Sequence, residues 1–227
     1  VKKFYYIVYH AGIGSSMEGI RISLIDKDNQ FRDRVSYLID SQTDMYCIAS
    51  LSSIKECDSL ECLNESYILL IDHRCLFSDE LHFISSIRAK YPKLKIIIFV
   101  DEETSTNDMF SYYKHGAIGT IDRDISKGQF ISSLRNISMG LPQIMPELAD
   151  RILYYFNPSP FYKNERVVLH LETKELIILR FLSESLPIQE IAKQLYITQD
   201  LVKAFILRVM NKLYLNYNYK TSDTVIS

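Results

Sequence analysis

The chain has 227 residues, of which 47% are hydrophobic and 24% are charged. This balance is that of an ordinary globular protein, and it excludes a disordered chain, a collagen-like repeat and a coiled-coil rod. The formal net charge of −2 excludes a chain coated in basic residues. The longest apolar runs, such as IIIFV at residues 96–100, are far shorter than the ~20 residues of a membrane span. We therefore expect a cytoplasmic protein of one or two domains that does not contact a membrane.

The cysteines do not form the pattern of a metal site or of a disulfide framework. They include no CxxC pair and no cluster of neighbouring histidines, and they stand at Cys47, Cys57, Cys62 and Cys75. Such cysteines are typical of reduced thiols in a cytosolic protein. The sequence also lacks a glycine-rich loop with phosphate-binding spacing. We therefore expect no metal, no cofactor and no enzymatic activity.

Short apolar runs alternate with helical patterns through the first part of the chain. The runs are RISLID (21–26), MYCIAS (45–50), YILLID (67–72), KIIIFV (95–100) and AIGTI (117–121). Helical patterns follow them, beginning near Asp28, Ser52 or Ser53, Asp79, Thr106 and Ser126. Continuously apolar strands, each followed by a helix, are typical of a parallel sheet covered on both faces. The predicted fold class is α/β, a doubly wound (βα)5 domain.

The pattern changes after Gly140. Prolines surround one helical segment, ELADRILYYF (147–156), and from Leu171 onward only closely spaced helical patterns follow. We predict an N-terminal extension of unknown role over 1–16, an α/β domain over 17–141, a linker with one helix over 142–166 and a small all-α domain over 167–227.

Polar residues follow the predicted strands at the end where open parallel sheets bind ligands. The segments are LIDKD (24–28), LLID (69–72) and GTIDRD (119–124). In order and spacing they resemble the receiver domain of response regulators, over roughly residues 20–140. This resemblance implies that Asp72 occupies the phosphoacceptor position, and that Asp26 belongs to the acidic pocket that holds Mg²⁺ in the family.

The same segments depart from the family pattern around the two aspartates. The family's second acid falls on Lys27, or on Asp28 if the motif shifts by one residue. The serine or threonine that reads the phosphate falls on Val100, the aromatic switch residue on Thr120 and the lysine on Arg123. Arginine and lysine are not interchangeable at a tight phosphate site. The resemblance therefore implies a degenerate receiver.

Phosphoryl transfer needs a divalent ion held by carboxylates and a cation that neutralises the developing charge. We expect a resident pair, formed by Lys27 or Arg123 with Asp26 or Asp72, to replace Mg²⁺ and phosphate and to fix the domain in one conformation. Mg²⁺ should then bind weakly, and we expect no cognate histidine kinase. The alternative is a two-component response regulator that is activated by phosphorylation of Asp72.

The C-terminal part carries the most specific motif of the chain. Matching pieces are Leu171, Glu175, EIA (190–192), ITQDLVK (197–203) and NKL (211–213). Together they resemble the LuxR-type helix-turn-helix of NarL/FixJ-family regulators, without a gap from 171 to 215. The resemblance implies a four-helix DNA-binding domain. In the tail NYNYKTSDTVIS, Thr221 is a candidate cap for a short fourth helix.

The helix after Thr198 is predicted to be the recognition helix, with Thr198 as its N-cap. Residues at helical spacing are predicted to face the core, namely Leu201, Val202, Phe205, Ile206, Val209, Met210 and Leu213. By resemblance, Lys203, Ala204 and Leu207 occupy groove-contacting positions, with Thr198 and Gln199 at the helix start. Arg208 and Lys212 are then candidates for phosphate contacts.

These patterns predict a phosphorylation-independent transcription regulator that binds double-stranded DNA. The outer face of this helix carries few basic residues, and Phe205 and Leu201 replace the family's histidine and threonine. We therefore expect a homodimer, or a heterodimer with a related regulator. The same departures leave open a protein-interaction module that has lost DNA binding and pairs with a related regulator.

Overall fold

The computed structural model describes residues 19–59, 62–76, 80–141, 144–157 and 169–223. The predicted extension over 1–16 lies outside these residues. The chain divides into two compact units: the first runs to Val100 and includes Ile121–Ser138, and the second consists of Asp101–Thr120 and Met139–Ser227. The domain boundaries expected from the sequence stay predictions, since these units interleave along the chain.

A five-stranded sheet has the order β2-β1-β3-β4-β5. Its strands are β1 (Ile20–Ile25), β2 (Met45–Leu51), β3 (Ile68–Asp72), β4 (Lys95–Val100) and β5 (Gly119–Asp122). The pairs β1–β2, β1–β3 and β3–β4 are parallel. The strand order reverses direction at β1, which is the doubly wound pattern. The predicted α/β fold class is confirmed.

Nine α-helices lie within the described residues. They are α1 (Asn29–Asp40), α2 (Cys62–Glu65), α3 (Leu81–Lys90), α4 (Thr106–His115), α5 (Lys127–Ser138), α6 (Pro146–Phe156), α7 (Thr173–Ser183), α8 (Ile188–Gln194) and α9 (Gln199–Asp223). Local sequence explains several of the boundaries. Asp28 caps α1 by accepting the amide of Phe31, and Ser105 and Asp108 form a capping box at α4. At the end of α4, Gly116 adopts the left-handed conformation with φ 112°.

The central strands are buried from end to end. All residues of β3 and the last five of β4 are inaccessible or nearly so. Continuous burial explains why these strands are apolar runs without polar alternation. It also makes the first residues beyond the strands the places where polar groups gather.

One predicted helix is replaced by shorter elements. After β2 the chain forms a 3₁₀ helix over Ile54–Ser59 and the single turn α2. The backbone amide of Ser52 donates to the Glu56 carboxylate at 3.2 Å, and the Ser52 hydroxyl bonds to the same group. These bonds lie at the start of the 3₁₀ helix. The expectation of one regular helix beginning near Ser52 or Ser53 is wrong.

The second unit has a helical core built from α4, α6, α7, α8 and α9. Buried residues of all five helices form one apolar cluster, with examples in Phe110, Leu148, Ile178, Ile191 and Ile206. The helix predicted within the linker, α6, thus packs into the same core as the helix-turn-helix. The four C-terminal helices of this core are α6 to α9.

The last helix continues where the sequence predicted a break. Thr221 lies inside α9, which runs to Asp223. Within the described residues, the prediction of a separate short tail helix capped by Thr221 is therefore wrong. Asn216 fixes this extension, because its side-chain amide donates to the Leu169 carbonyl at 2.9 Å and accepts the Leu169 amide at 2.7 Å.

Candidate functional site

Two buried carboxylates meet at the carboxyl end of the sheet. Asp26 directly follows β1, and Asp72 is the last residue of β3, the neighbouring parallel strand. Both residues have 0% exposure. Two like charges in such a place require compensating groups.

The compensating group expected at Arg123 is present. The same Nη1 of Arg123 donates to Oδ2 of Asp26 and to Oδ2 of Asp72. The guanidinium also lies 3.7 Å from the centroid of the Phe31 ring, and its side chain is only 10% exposed. Arg123 is brought to this place because its backbone amide donates to the Val100 carbonyl, just beyond β5. A buried arginine therefore bridges the two aspartates.

A second arginine, which the sequence motifs did not indicate, completes the pocket. Arg74 donates from Nε to Oδ1 of Asp72 at 2.9 Å and from Nη2 to Oδ2 at 3.1 Å. The Arg74 amide also donates to Oδ1 at 2.9 Å. This bidentate fork holds Asp72 strongly. The only sequence signal for it is a basic residue two positions after the strand.

The remaining predicted pocket residues take different positions. The Lys27 ammonium donates to the Arg74 carbonyl at 2.9 Å, which supports the loop that carries Arg74. Val100 and Thr120 are buried. Asp28 lies half-exposed, with its Oδ2 3.7 Å from Nη2 of Arg123. The structure thus gathers Asp26, Asp72 and Arg123 at one point, with Lys27 and Asp28 at the edge.

Burial and hydrogen bonding shift the pKa values of Asp26 and Asp28 in opposite directions. Burial raises the pKa of Asp26, and the hydrogen bonds from the Asp28 amide and Arg123 only partly offset this. The pKa of Asp28 is lowered, mainly because its carboxylate accepts the backbone amide of Phe31 at the start of α1. Asp28 therefore acts as a helix cap, and its alternative place as the second acid of the pocket stays a prediction.

The pocket does not fit Mg²⁺. Mg²⁺ needs carboxylate oxygens in octahedral geometry, but the four oxygens of Asp26 and Asp72 accept bonds from Arg123, Arg74 and the Asp28 amide. No group of three acidic, histidine or cysteine residues that could hold a metal occurs within the described ranges.

We expect Mg²⁺ to leave the thermal stability of the protein unchanged. The guanidinium groups already neutralise the carboxylates, so metal binding should need millimolar or higher concentrations. Thermal unfolding with increasing MgCl₂, matched by NaCl at equal ionic strength, measures this. A clear stabilisation by sub-millimolar Mg²⁺ alone would contradict this description of the pocket.

A helix-turn-helix forms the second candidate site. Helix α8 ends at Gln194, and α9 begins at Gln199 after a turn in which Tyr196 has φ 53°. Thr198 caps α9, since its hydroxyl accepts the Leu201 amide at 3.2 Å. The predicted recognition helix therefore begins where the sequence placed it.

The predicted contact residues differ in exposure. Thr198, Gln199, Ala204 and Arg208 are exposed, whereas Lys203, Leu207 and Lys212 are half-buried. Leu201, predicted to face the core, is 42% exposed, so that prediction is wrong. The other six residues assigned to the core face of α9 are buried. Leu201 lies on the exposed flank of the first turn, whereas the next residue, Val202, faces the core and is buried.

Acidic partners hold the cations of α9. The Lys203 ammonium lies 2.9 Å from Asp200, and its side chain is only 20% exposed. Lys212 donates to Glu175 at 2.7 Å, and Glu175 has 0% exposure. Arg208 lies 3.6 Å from the same Glu175 and stacks over the Phe205 ring. The geometry gives Lys212 a structural role, and its predicted phosphate contact stays a prediction.

One flank of α9 is covered by other parts of the second unit. A Cβ placed on Gly140 would come to 3.9 Å from Cδ1 of Leu207. Further along the helix, the Tyr217 ring contacts the His115 ring of α4 at 4.5 Å between centroids. The flank that carries Leu201, Ala204, Arg208, Asn211 and Leu215 is exposed.

Comparisons with known proteins agree on one kind of relative. No protein-family model matches the chain. The nitrate/nitrite response regulator protein NarL of Escherichia coli is 24% identical over 199 residues, covering 88% of this chain and 91% of NarL. The transcriptional regulatory protein YxjL of Bacillus subtilis is 22% identical over 194 residues, covering 85% of this chain and 88% of YxjL. The homologues of this chain are response regulators of the NarL/LuxR type.

Solved structures support the fold. The RcsB response regulator of Salmonella typhimurium superposes with a TM-score of 0.51 at 13% identity, covering 90% of this chain and 99% of that structure. The correspondence extends over both parts of the chain, the sheet and the C-terminal helices. Of the helices that the structure describes, none is long and apolar enough to cross a membrane.

Proposed function

We propose that this protein is a DNA-binding transcription regulator whose receiver-type domain works without phosphorylation. The observation that carries the proposal is Arg123, whose guanidinium bridges Asp26 and Asp72. The helix-turn-helix, with the start of α9 exposed, supports the DNA-binding part. The homology to NarL-type regulators supports the class of protein.

The hydrogen bonds of Asp72 oppose its phosphorylation. A carboxylate that attacks a phosphoryl group needs a free oxygen, and a metal ion must neutralise the incoming phosphate charge. Both oxygens of Asp72 accept bonds from arginines, and its side chain is 1% exposed. Releasing either oxygen would separate a guanidinium from its buried carboxylate, which costs free energy. Arg123 and Arg74 thus hold the domain in one charge-balanced state.

Incubation with acetyl phosphate and Mg²⁺ should add no phosphoryl group to the protein. Intact-mass measurement tests this, with Asp72→Asn as the control variant because it keeps the shape of the side chain. A stoichiometric gain of one phosphoryl group that disappears in Asp72→Asn would establish the alternative, a regulator activated through Asp72.

DNA binding should depend on the exposed part of α9. We expect Lys203→Ala to weaken binding by about 1–3 kcal/mol if the side chain contacts a base edge. Arg208→Ala, a predicted phosphate contact, should weaken binding to all sequences and flatten the salt dependence by about one unit. Fluorescence anisotropy with labelled duplexes at several salt concentrations measures both.

The control for these variants is Lys90→Ala, which removes an exposed lysine from α3. Circular dichroism on each variant shows that folding is retained. Unchanged affinity of the folded Lys203→Ala and Arg208→Ala variants would exclude these two cations as DNA contacts.

A dimer is part of the proposal, because the positive charge on α9 is small and a single copy would bind weakly. Two copies double the number of phosphate contacts and match two half-sites about one helical turn apart. The stoichiometry of the DNA complex, measured by sedimentation, tests this directly. A complex of one chain per duplex at saturation would contradict it.

A second function is favoured by the acid partners of the α9 cations. With Lys203 held by Asp200 and Lys212 by Glu175, a protein-interaction module that pairs with a related regulator fits the same surface. Co-purification with such a regulator, together with absence of DNA retention at low salt, would favour this function over DNA binding.

A further inference from the structure

The exposed start of α9 carries two apolar side chains. Leu201 is 42% exposed, and Ala204, one turn further, is exposed as well. Positions i and i+3 on a helix are neighbours, about 5–6 Å apart between Cβ atoms. We call these two residues the methyl patch. Neither side chain can donate or accept a hydrogen bond.

The cations nearest the methyl patch are engaged elsewhere. Guanine is read most often by an arginine or lysine that donates to its O6 and N7. Lys203 lies against Asp200 at 2.9 Å, and Arg208 lies over the Phe205 ring at 4.5 Å and 3.6 Å from both Glu172 and Glu175. Turning either cation towards a guanine would break these contacts. The surface is therefore poorly suited to read G·C pairs.

The same surface suits A·T pairs. Thymine is the only base of DNA with a methyl group in the major groove, and small apolar side chains contact that methyl. At the first residue of the helix, Gln199 is exposed, and a glutamine amide forms two hydrogen bonds with adenine. Two different chemistries at the start of α9 thus favour the same base pair.

We infer that the protein recognises half-sites rich in A·T pairs, with Leu201 and Ala204 in contact with thymine methyl groups. This inference rests on the proposed DNA-binding function and adds the class of sequence that the protein reads. Leu201 is the residue expected to determine the specificity, because it is the larger apolar group and is open to solvent. Burying a methyl group against it removes apolar surface from water, which favours binding.

Uracil lacks only the methyl group of thymine, so it isolates this interaction. The full chain is first incubated with duplexes that contain a random core of about 20 base pairs, the span of two half-sites, and the retained duplexes are sequenced. The enriched duplex is then synthesised with thymine or with uracil in the core. We expect uracil to weaken binding by about fourfold for each recognised thymine methyl that is removed, the affinity equivalent of one buried methylene.

Leu201→Thr is the matched variant, and Leu215→Thr is its control. Both leucines are on α9 and are similarly exposed, at 42% and 41%, but Leu215 lies about four turns from the helix start. The ratio of thymine to uracil affinity should approach one in Leu201→Thr and stay at the parent value in Leu215→Thr. Gel filtration of Leu201→Thr should show an unchanged oligomeric state.

The outcomes separate this inference from the function on which it rests. DNA binding with equal affinity for thymine and uracil duplexes, or an enriched core rich in G·C pairs, overturns the inference alone. A change of oligomeric state in Leu201→Thr without a change in the thymine to uracil ratio overturns it in favour of a protein contact. Failure to retain any duplex at low salt overturns both the inference and the proposed function.

Discussion

Replacing Arg123 by alanine should lower the free energy of unfolding by about 3 kcal/mol. Removal of one partner of a buried ion pair typically costs about 3–5 kcal/mol, because the other charge stays buried without compensation. Here two carboxylates, Asp26 and Asp72, lose the same guanidinium. Arg74 continues to hold Asp72, so the lower end of the range is expected. Urea unfolding measures the change.

The destabilisation should depend on pH in a defined direction. Arg123 lowers the pKa of Asp26 while burial raises it, so the variant has a still higher Asp26 pKa in the folded state. A folded pKa above the unfolded value means that the folded protein binds more protons, so stability falls as pH rises. The defect of Arg123→Ala should therefore be largest near neutral pH and shrink as the pH falls towards the raised pKa.

Arg135→Ala is the matched control. Arg135 forms a bidentate pair with Asp44, but both side chains are about half-exposed. Exposed pairs contribute roughly 0–1 kcal/mol, so this variant should be close to the parent. If Arg123→Ala is as stable as Arg135→Ala, the bridge does not hold the pocket together. Stabilisation of Arg123→Ala by Mg²⁺ would show that the arginine occupies the place of a cation.

The sheet could be predicted because apolar runs and helical patterns alternate regularly along this part of the chain. Strands β3 and β4 are nearly continuous apolar runs, and helical patterns between the runs favour parallel pairing. The segment after β2 was not predicted correctly, since its candidate capping serines do not distinguish a regular helix from a 3₁₀ helix followed by a single turn. The length of α9 could not be predicted either, because Asn216 holds its C-terminal part through hydrogen bonds to the distant residue Leu169.

The pocket was partly predictable for a similar reason. The carboxyl ends of neighbouring parallel strands lie at the same edge of the sheet, so Asp26 and Asp72 could be placed together. The position of the family's conserved lysine pointed to Arg123. Arg74 was missed, because the family pattern assigns no role to that position. The orientation of its side chain depends on the turn after β3, where the Arg74 amide and side chain bind one carboxylate. A turn of this kind leaves no periodic signal in the sequence.

The recognition helix shows the limit of reasoning from helical periodicity alone. Leu201 has the spacing of a core residue, yet it lies at the edge of the covered face, so its side chain is exposed while that of Val202 is buried. Lys212 has the spacing of a surface residue, yet it lies against the buried Glu175 of α7. Both departures arise from which helices pack against α9, and a pattern within one helix does not contain that information.

Replacing Lys212 by methionine should destabilise the second unit by about 3 kcal/mol. The substitution keeps an unbranched side chain, one atom shorter, but removes the ammonium that lies 2.7 Å from Glu175, whose side chain is 0% exposed. The carboxylate then stays buried, and its remaining partners are the Glu172 amide at 2.8 Å and Arg208 at 3.6 Å, which places the cost at the lower end of the range for a broken buried pair. Urea unfolding followed by circular dichroism measures it, with Lys193→Met as the control for an exposed pair.

The double variant Glu175→Gln with Lys212→Met separates the two roles of Lys212. Removing both charges abolishes the buried unpaired carboxylate, so the double variant should be more stable than Lys212→Met alone. An equal or lower stability would contradict a structural ion pair. If Lys212 also contacts a phosphate, the refolded double variant should still show a salt dependence of DNA binding about one unit flatter than the parent. A salt dependence equal to that of the parent would confine Lys212 to its contact with Glu175.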